Sequence, residues 1–217
     1  MVGYGDTARP ADIGYSLSTW SDHVLGFLDA LGLYRVAVVG NSLGGRIALD
    51  LAERVPDRIR RMALMGAPGV GMTITEGLRA LRSYEPSLGA MRDLLVTYFA
   101  DDPSIITDDL VRVRYEASVR TNDAYRAMFV DARQAMKDLG ITGDRVRAIS
   151  TPTLLVHGRE DKVVPVEVAW NMVRLLPDAD LHVFARCGHW TQLERADAFN
   201  DLVAGFLRIG SERGERE

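Results

Sequence analysis

The stretch Arg35–Leu49, RVAVVGNSLGGRIAL, changes character at its centre. Arg35–Gly40 is a short β-branched run, buried in type, and is expected to be a strand. Leu43–Val55 reads as a helix, with Ile47, Leu49, Leu51 and Ala52 at its apolar positions and Pro56 just beyond. Between them stands Gly40-Asn41-Ser42-Leu43-Gly44, a G-x-S-x-G at a strand-to-helix turn. So tight a turn strains the serine backbone and pushes its hydroxyl clear of the sheet. Side chains at the flanking glycines are expected to clash in the bend. The helix start at Leu43 supplies a free N–H and the positive end of a dipole, both suited to a developing oxyanion. Gly45 and Ala48 would keep the helix close to the sheet. The competing reading is a glycine-rich turn without chemistry. A phosphate-binding loop would need a Gly-Lys-Ser/Thr, and none follows.

Outward from this turn, short apolar runs alternate with amphipathic segments, the pattern of an α/β chain with a parallel sheet. Residues 1–15, with Gly3, Gly5, Pro10 and Gly14, read as loop. Trp20, Val24, Phe27, Leu28 and Leu31 recur at helical spacing and predict a helix over Ser16–Leu33. Ile59–Met65 is a second strand, ended by Gly66, Pro68 and Gly69; Thr153–His157 and Leu181–Phe184 are the third and fourth. Helices are expected at Val166–Leu176 and Arg195–Leu207, the latter with Phe199, Leu202, Val203 and Phe206 on one face. The tail SERGERE is polar and expected to fray.

From about Ile74 to Leu139 the alternation stops. Leu78, Leu81, Met91, Leu94, Leu95, Tyr98 and Phe99 fall at three- and four-residue intervals, and Tyr115, Tyr125, Met128, Phe129 and Met136 extend the helical character. A helical insert between sheet strands reads as a cap over a site. It divides the chain into a core of residues 1–70 and 141–217 and a cap of residues 71–140. A helical subdomain with no ligand role is the alternative.

Bulk properties narrow the function classes. The 217 residues, 47% hydrophobic, suffice for one domain with a sizeable core. A net charge of −4 and no basic run longer than two residues argue against nucleic acid as a partner. The single cysteine, Cys187, allows no disulfide within the chain and suits a reducing cytoplasm. It has no base of its own and reads as packing. No apolar stretch approaches the roughly 18–20 residues of a membrane span. The start MVGYGDTARP lacks a signal-peptide pattern. No His/Cys/Asp cluster has metal-ligand spacing, so no metal and no cofactor are expected. The expectation is a soluble cytoplasmic protein acting on a small molecule.

A serine nucleophile needs a base, and the base an orienting acid. Of four histidines, His23 lies in a helix and His182 in the fourth strand, where structural roles are expected. His157 ends the third strand and suits a hydrogen-bonding loop role. His189, in Cys187-Gly188-His189-Trp190, follows the fourth strand. Loops after strand C-termini converge where ligands bind in open parallel sheets, so His189 is the candidate base. Asp161, in HGREDKVVP after the third strand, is the candidate acid, with Glu160 as the fallback. Asp178 and Asp180 are placed before a strand, at the opposite end of the sheet. The order Ser42, Asp161, His189 is that of an α/β-hydrolase.

With these motifs in view, the chain resembles the meta-cleavage product hydrolases of aromatic catabolism, within the α/β-hydrolase superfamily, and most closely the 2-hydroxymuconate-semialdehyde hydrolase group. The stretches that carry the resemblance are GYGDTARPAD, GNSLGG, the cap segment ITEGL…YEPS…MR, RYEASVR, HGREDKVVP and LHVFARCGHWTQLE. It implies an α/β-hydrolase fold with a helical cap, no cofactor, and hydrolysis of a carbon–carbon bond in a 2-hydroxy-6-oxo-hexa-2,4-dienoate. It also implies that Arg114, in RYEAS, binds the substrate carboxylate, for which a guanidinium fork is suited. Asn41 and Trp190 match positions lining the family pocket, and Leu43 joins them as a substrate-binding candidate through its N–H. Asn41 equally suits turn chemistry, Trp190 packing, and Arg114 a surface cap position beside Arg112 and Arg120. The substituent at C6 stays open, and so does the oligomeric state, with a homodimer as the candidate.

The resemblance carries one departure. Family members have several strands and an oxyanion loop ahead of the point where this sequence starts, so the chain is expected to lack those N-terminal strands. Four parallel strands in chain order are then expected, with Val36–Val39 at an open apolar edge. Two further readings stay in play: a carboxylesterase or perhydrolase using the same residues, and an inactive fragment. Dehalogenases and epoxide hydrolases of this fold usually carry Asp where Ser42 stands.

Overall fold

The computed structural model describes residues 1–10, 12–129 and 139–208, with the backbone alone over 121–129. The side chains expected to extend the cap at Tyr125, Met128, Phe129 and Met136, and the tail SERGERE, lie outside the described residues. The frame is a parallel sheet whose strand order follows the chain: β1 (Val36–Asn41), β2 (Ile59–Met65), β3 (Thr153–Gly158) and β4 (Ala179–Phe184). This is the topology and strand count expected from the sequence.

Side-chain alternation along β2 separates two apolar layers. Met62 and Leu64 join Trp20, Leu49 and Leu51 on one face, so α1 (Leu17–Ala30) and α2 (Leu43–Arg54) cover it. Ala63 and Met65 join Leu154, Val156, Phe199 and Val203 on the other face, under the last helix. A strand covered on both faces is mostly apolar, and β3 is buried at all six positions. β1 pairs with β2 alone among the described residues, and Val39 on it is 47% exposed, so the apolar edge expected at Val36–Val39 is present.

Residues 1–10 and 12–15 form the expected loop, strapped to α1 where Trp20 Nε1 donates to Val2 O at 3.1 Å. Between β2 and β3 lie α3 (Glu76–Arg82), α4 (Leu88–Leu94), a π-helical turn at Leu95–Phe99, α5 (Asp108–Phe129) and the short α6 (Gly143–Arg147). The hydroxyls of Thr75 and Ser87 cap α3 and α4, accepting from Leu78 N and Ala90 N. After β3 come α7 (Val166–Val173), then β4, α8 (Thr191–Glu194) and α9 (Ala196–Arg208).

Element ends differ from the sequence expectations in several places; α7 stops at Val173 rather than Leu176. The first helix stops at Ala30, because Gly32 turns the chain at φ 67°. β4 begins at Ala179, which puts Asp180 inside the strand rather than before it. The closing helix expected at Arg195–Leu207 is α9, and a short helix not expected from the sequence, α8, precedes it, with Arg195 at φ −131° between the two. No described helix is long and apolar enough to cross a membrane.

Candidate active site

Ser42 sits between β1 and α2 at φ 52°, ψ −118°, a left-handed backbone that a side-chain-bearing residue adopts at a cost. Met65 at the end of β2 holds the bend: its carbonyl accepts from Ser42 N at 2.8 Å and from Asn41 Nδ2 at 3.2 Å. The glycines around Ser42 are not equivalent. A Cβ on Gly40 would lie 2.5 Å from Gly44 O, and one on Gly45 would lie 2.5 Å from Ala67 Cβ. Gly44 has nothing within 4 Å, so the expectation that both flanking glycines avoid a clash holds for Gly40 and is corrected for Gly44. Leu43 begins α2, where a backbone N–H has no intrahelical acceptor.

Asp161 and His189 meet behind this turn. Asp161 Oδ2 accepts from His189 Nδ1 at 2.7 Å, both side chains being almost wholly buried. Asp161 Oδ1 accepts from Val163 N at 2.8 Å and Val164 N at 2.9 Å, which fixes the carboxylate in its own loop. His157 supplies a third support. Its Nε2 donates to Val164 O at 2.8 Å and lies 3.4 Å from Asp161 Oδ2, the hydrogen-bonding loop role expected of it. Burial alone would raise the Asp161 pKa. The His189 charge, the hydrogen bonds from His157 and His189 and the His157 charge outweigh it and hold the carboxyl well below the usual range. With its Nδ1 proton directed at Asp161, His189 has Nε2 as the nitrogen able to accept a proton.

Glu160, the fallback acid, turns elsewhere: it accepts from Cys187 N at 3.0 Å and pairs with Arg159. Burial, with help from the Glu194 carboxylate, pushes the Cys187 thiol up to about 12, consistent with packing rather than nucleophilic use.

A cavity of about 510 Å³ collects Asn41, Ser42, Leu43, Arg114, His189 and Trp190 on its wall. Asp161 stands behind His189. Arg114 reaches in from α5, its Cζ 5.4 Å from the centre of the Trp190 ring. Surrounding protein lowers its pKa by desolvation, yet the guanidinium faces the void and is accessible from it. Among the described residues, no group of three or more His, Cys, Asp or Glu side chains could hold a metal ion.

Several wall residues were not singled out from the sequence. Phe99, in the π-helical turn, packs edge-on against His189 with centroids 5.3 Å apart and lies 4.9 Å from Trp190. Pro68, Val164 and Gln192 also line the cavity, as do Leu78 and Leu81 from α3. Gly66 is a further case: a Cβ there would lie 2.9 Å from His189 Nδ1, and its φ is 50°. The sequence signal at Gly66, a glycine at a strand end, is also the signal of an ordinary turn.

The family model for the alpha/beta hydrolase fold matches residues 1–196. A 2-hydroxymuconate semialdehyde hydrolase of Pseudomonas putida is 45% identical over 210 residues, 95% of this chain and 74% of the relative's length. A 2-hydroxy-6-oxo-2,4-heptadienoate hydrolase, also of Pseudomonas putida, is 45% identical over 210 residues, 95% of this chain and 76% of its own length. Among solved structures, the meta-cleavage product hydrolase CumD of Pseudomonas fluorescens IP01 superposes with a TM-score of 0.92 at 43% identity, covering 97% of this chain and 78% of that one. The chain therefore belongs to the α/β-hydrolases and, within them, to the meta-cleavage product hydrolases.

Proposed function

We propose that the protein is a cofactor-independent serine hydrolase that cleaves a carbon–carbon bond of a 2-hydroxy-6-oxo-hexa-2,4-dienoate ring-fission product, 2-hydroxymuconate semialdehyde or an alkyl analogue. Residues 1–70 and 141–217 serve as the catalytic core and residues 71–140 as its cap. The observation that carries this reading is one cavity whose wall joins two kinds of chemistry. Its wall holds a strained serine and a His189 paired to buried Asp161, and it also holds Arg114, a cation contributed by the cap.

Carbon is a poor leaving group, so the dienol is first ketonised, after which the departing fragment leaves as a stabilised dienolate. Arg114 binds the carboxylate and 2-oxo end as a two-pronged donor. That fixes the C6 carbonyl over Ser42. His189 Nε2 accepts the serine proton as Oγ attacks C6, and Asp161 steadies the imidazolium. Leu43 N–H, at the N-terminus of α2, donates to the developing oxyanion. The C5–C6 bond breaks, its electron pair leaves on the dienolate, whose 2-oxygen takes the proton held by His189, and an acyl group remains on Ser42. Water activated by His189 then releases it. The products are 2-hydroxypenta-2,4-dienoate and a small acid such as formate. Asn41 and Trp190 shape the pocket beside the reacting chain. The proposed setting is a reducing cytoplasm, with a homodimer as the candidate assembly.

Parallel assays on a yellow ring-fission product and a nitrophenyl ester test the reading. Preferred turnover of the dienoate, with Arg114→Gln raising its KM by roughly 10-fold or more while sparing the ester, is the expected result. Turnover of the ester alone would assign a carboxylesterase instead.

A further inference from the structure

Three backbone N–H groups from two distant segments converge on one carboxylate. Glu194 Oε1 accepts from Gly188 N at 2.7 Å, and Glu194 Oε2 accepts from Asp101 N at 2.8 Å and Asp102 N at 3.1 Å. Gly188 is the residue before His189. Asp101 and Asp102 follow closely on the π-helical turn that ends at Phe99. A second bond runs alongside: His189 N donates to Phe99 O at 2.7 Å. The two segments lie so close that a Cβ on Gly188 would fall 2.6 Å from Phe99 O and 3.0 Å from Asp101 N. The Phe99 ring then packs edge-on against the imidazole itself.

We propose that Glu194 is a positioning residue for the reaction, its carboxylate tying the His189 loop to the end of the cap's π-helical turn so that imidazole and cap wall are placed together. The inference rests on the reading of Ser42, Asp161 and His189 as the hydrolytic machinery. The chemistry requires a carboxylate. Both oxygens face N–H donors, and charge-assisted bonds of this kind are stronger than neutral ones. An amide of the same shape offers one oxygen and one NH2. In Glu194→Gln, whichever way the amide turned, its NH2 would oppose either Gly188 N–H or the pair at Asp101 and Asp102. One side of the tie is then lost, and with it the register between Phe99 and His189. Errors of about 1 Å in such placements can cost roughly 100-fold in rate.

Glu194→Gln tests this with three readouts. Expected are a kcat lowered by about 10–100-fold with KM within about twofold, labelling of Ser42 by a fluorophosphonate slowed in parallel, and loss or broadening of the strongly deshielded NMR signal of the proton between His189 and Asp161. A residue that only supports the fold would lower thermal stability and leave all three unchanged in folded protein, and that result overturns the proposal. Should the variant not fold, amide hydrogen exchange on the wild-type protein decides. Protection of Gly188, Asp101 and Asp102 supports the tie, and exchange at Gly188 as fast as in exposed loops overturns it. If wild-type protein is labelled at Ser42 but leaves the dienoate intact, the substrate reading fails while Glu194 is still judged by labelling. If folded wild-type protein is not labelled, both fail.

Discussion

Asp161 Oδ2 lies 2.7 Å from His189 Nδ1, and the other oxygen of the same carboxylate is committed to Val163 N and Val164 N. Those two backbone donors dictate what an isosteric amide would do. In Asp161→Asn the amide oxygen must stay with Val163 and Val164, which turns the NH2 toward His189. Nδ1 then has to accept, the ring proton moves to Nε2, and the base toward Ser42 is lost. The expected fall in kcat is about 10⁴-fold, the order seen when a triad acid is neutralised in this way. Steady-state kinetics on the folded variant check it.

The same carboxyl links stability to pH. Burial pulls its pKa up, but the two histidines pull it further down, so the folded value lies below the reference 3.8. A depressed acid contributes stability that is fully present above its unfolded pKa and is lost as pH falls through the folded one. The wild-type advantage over Asp161→Asn should therefore be present at about pH 5 and shrink as pH falls below about 4. Urea unfolding midpoints of both proteins across that range measure the difference; an advantage that stays flat below about pH 4 would refute the linkage.

Two glycines of the Ser42 turn should respond in opposite ways. A methyl group on Gly40 meets only backbone atoms of Gly44 and Gly45, at 2.5–2.7 Å, and nothing there is flexible enough to yield. Gly40→Ala is expected to cost about 1–3 kcal/mol or more, with loss of activity as the elbow shifts. Gly44→Ala meets open space within α2 and is expected to be neutral, or stabilising by up to ~1 kcal/mol through helix propensity. Thermal denaturation of the pair is sufficient.

The unpaired side of β1 makes a prediction about association. An edge strand with exposed Val39 offers backbone donors and acceptors beside apolar surface. Val39→Lys should reduce light scattering at high protein concentration while leaving the unfolding midpoint nearly unchanged. Equal scattering by both proteins would show that association uses another surface.

What could be read from the sequence was what depends on local pattern and chain order. The β-branched run before Ser42 and the apolar periodicity after it marked out the strand–turn–helix. Position after successive strands then pointed to Asp161, with Glu160 beside it as the fallback, ahead of Asp178 and Asp180, and to His189. Relationships made by docking were not legible. Glu194 is one charged residue among many on a helical segment, and nothing local says that three N–H groups will meet it. Two of them, at Asp101 and Asp102, come from the far side of the chain, in the cap. Phe99 looked like one more apolar cap position, and only the approach of the cap to Gly188 sets it against the imidazole. Gly44 misled because the motif lettering treats its two glycines alike, whereas the steric demand falls on Gly40 and Gly45.

Rapid-quench mass spectrometry of the Ser42 peptide during turnover of a ring-fission dienoate tests the nucleophile assignment most directly. The peptide should gain the mass of the C6 acyl group within the first turnover, and Ser42→Ala should neither carry that adduct nor cleave the bond. Undiminished carbon–carbon cleavage by Ser42→Ala would contradict the assignment.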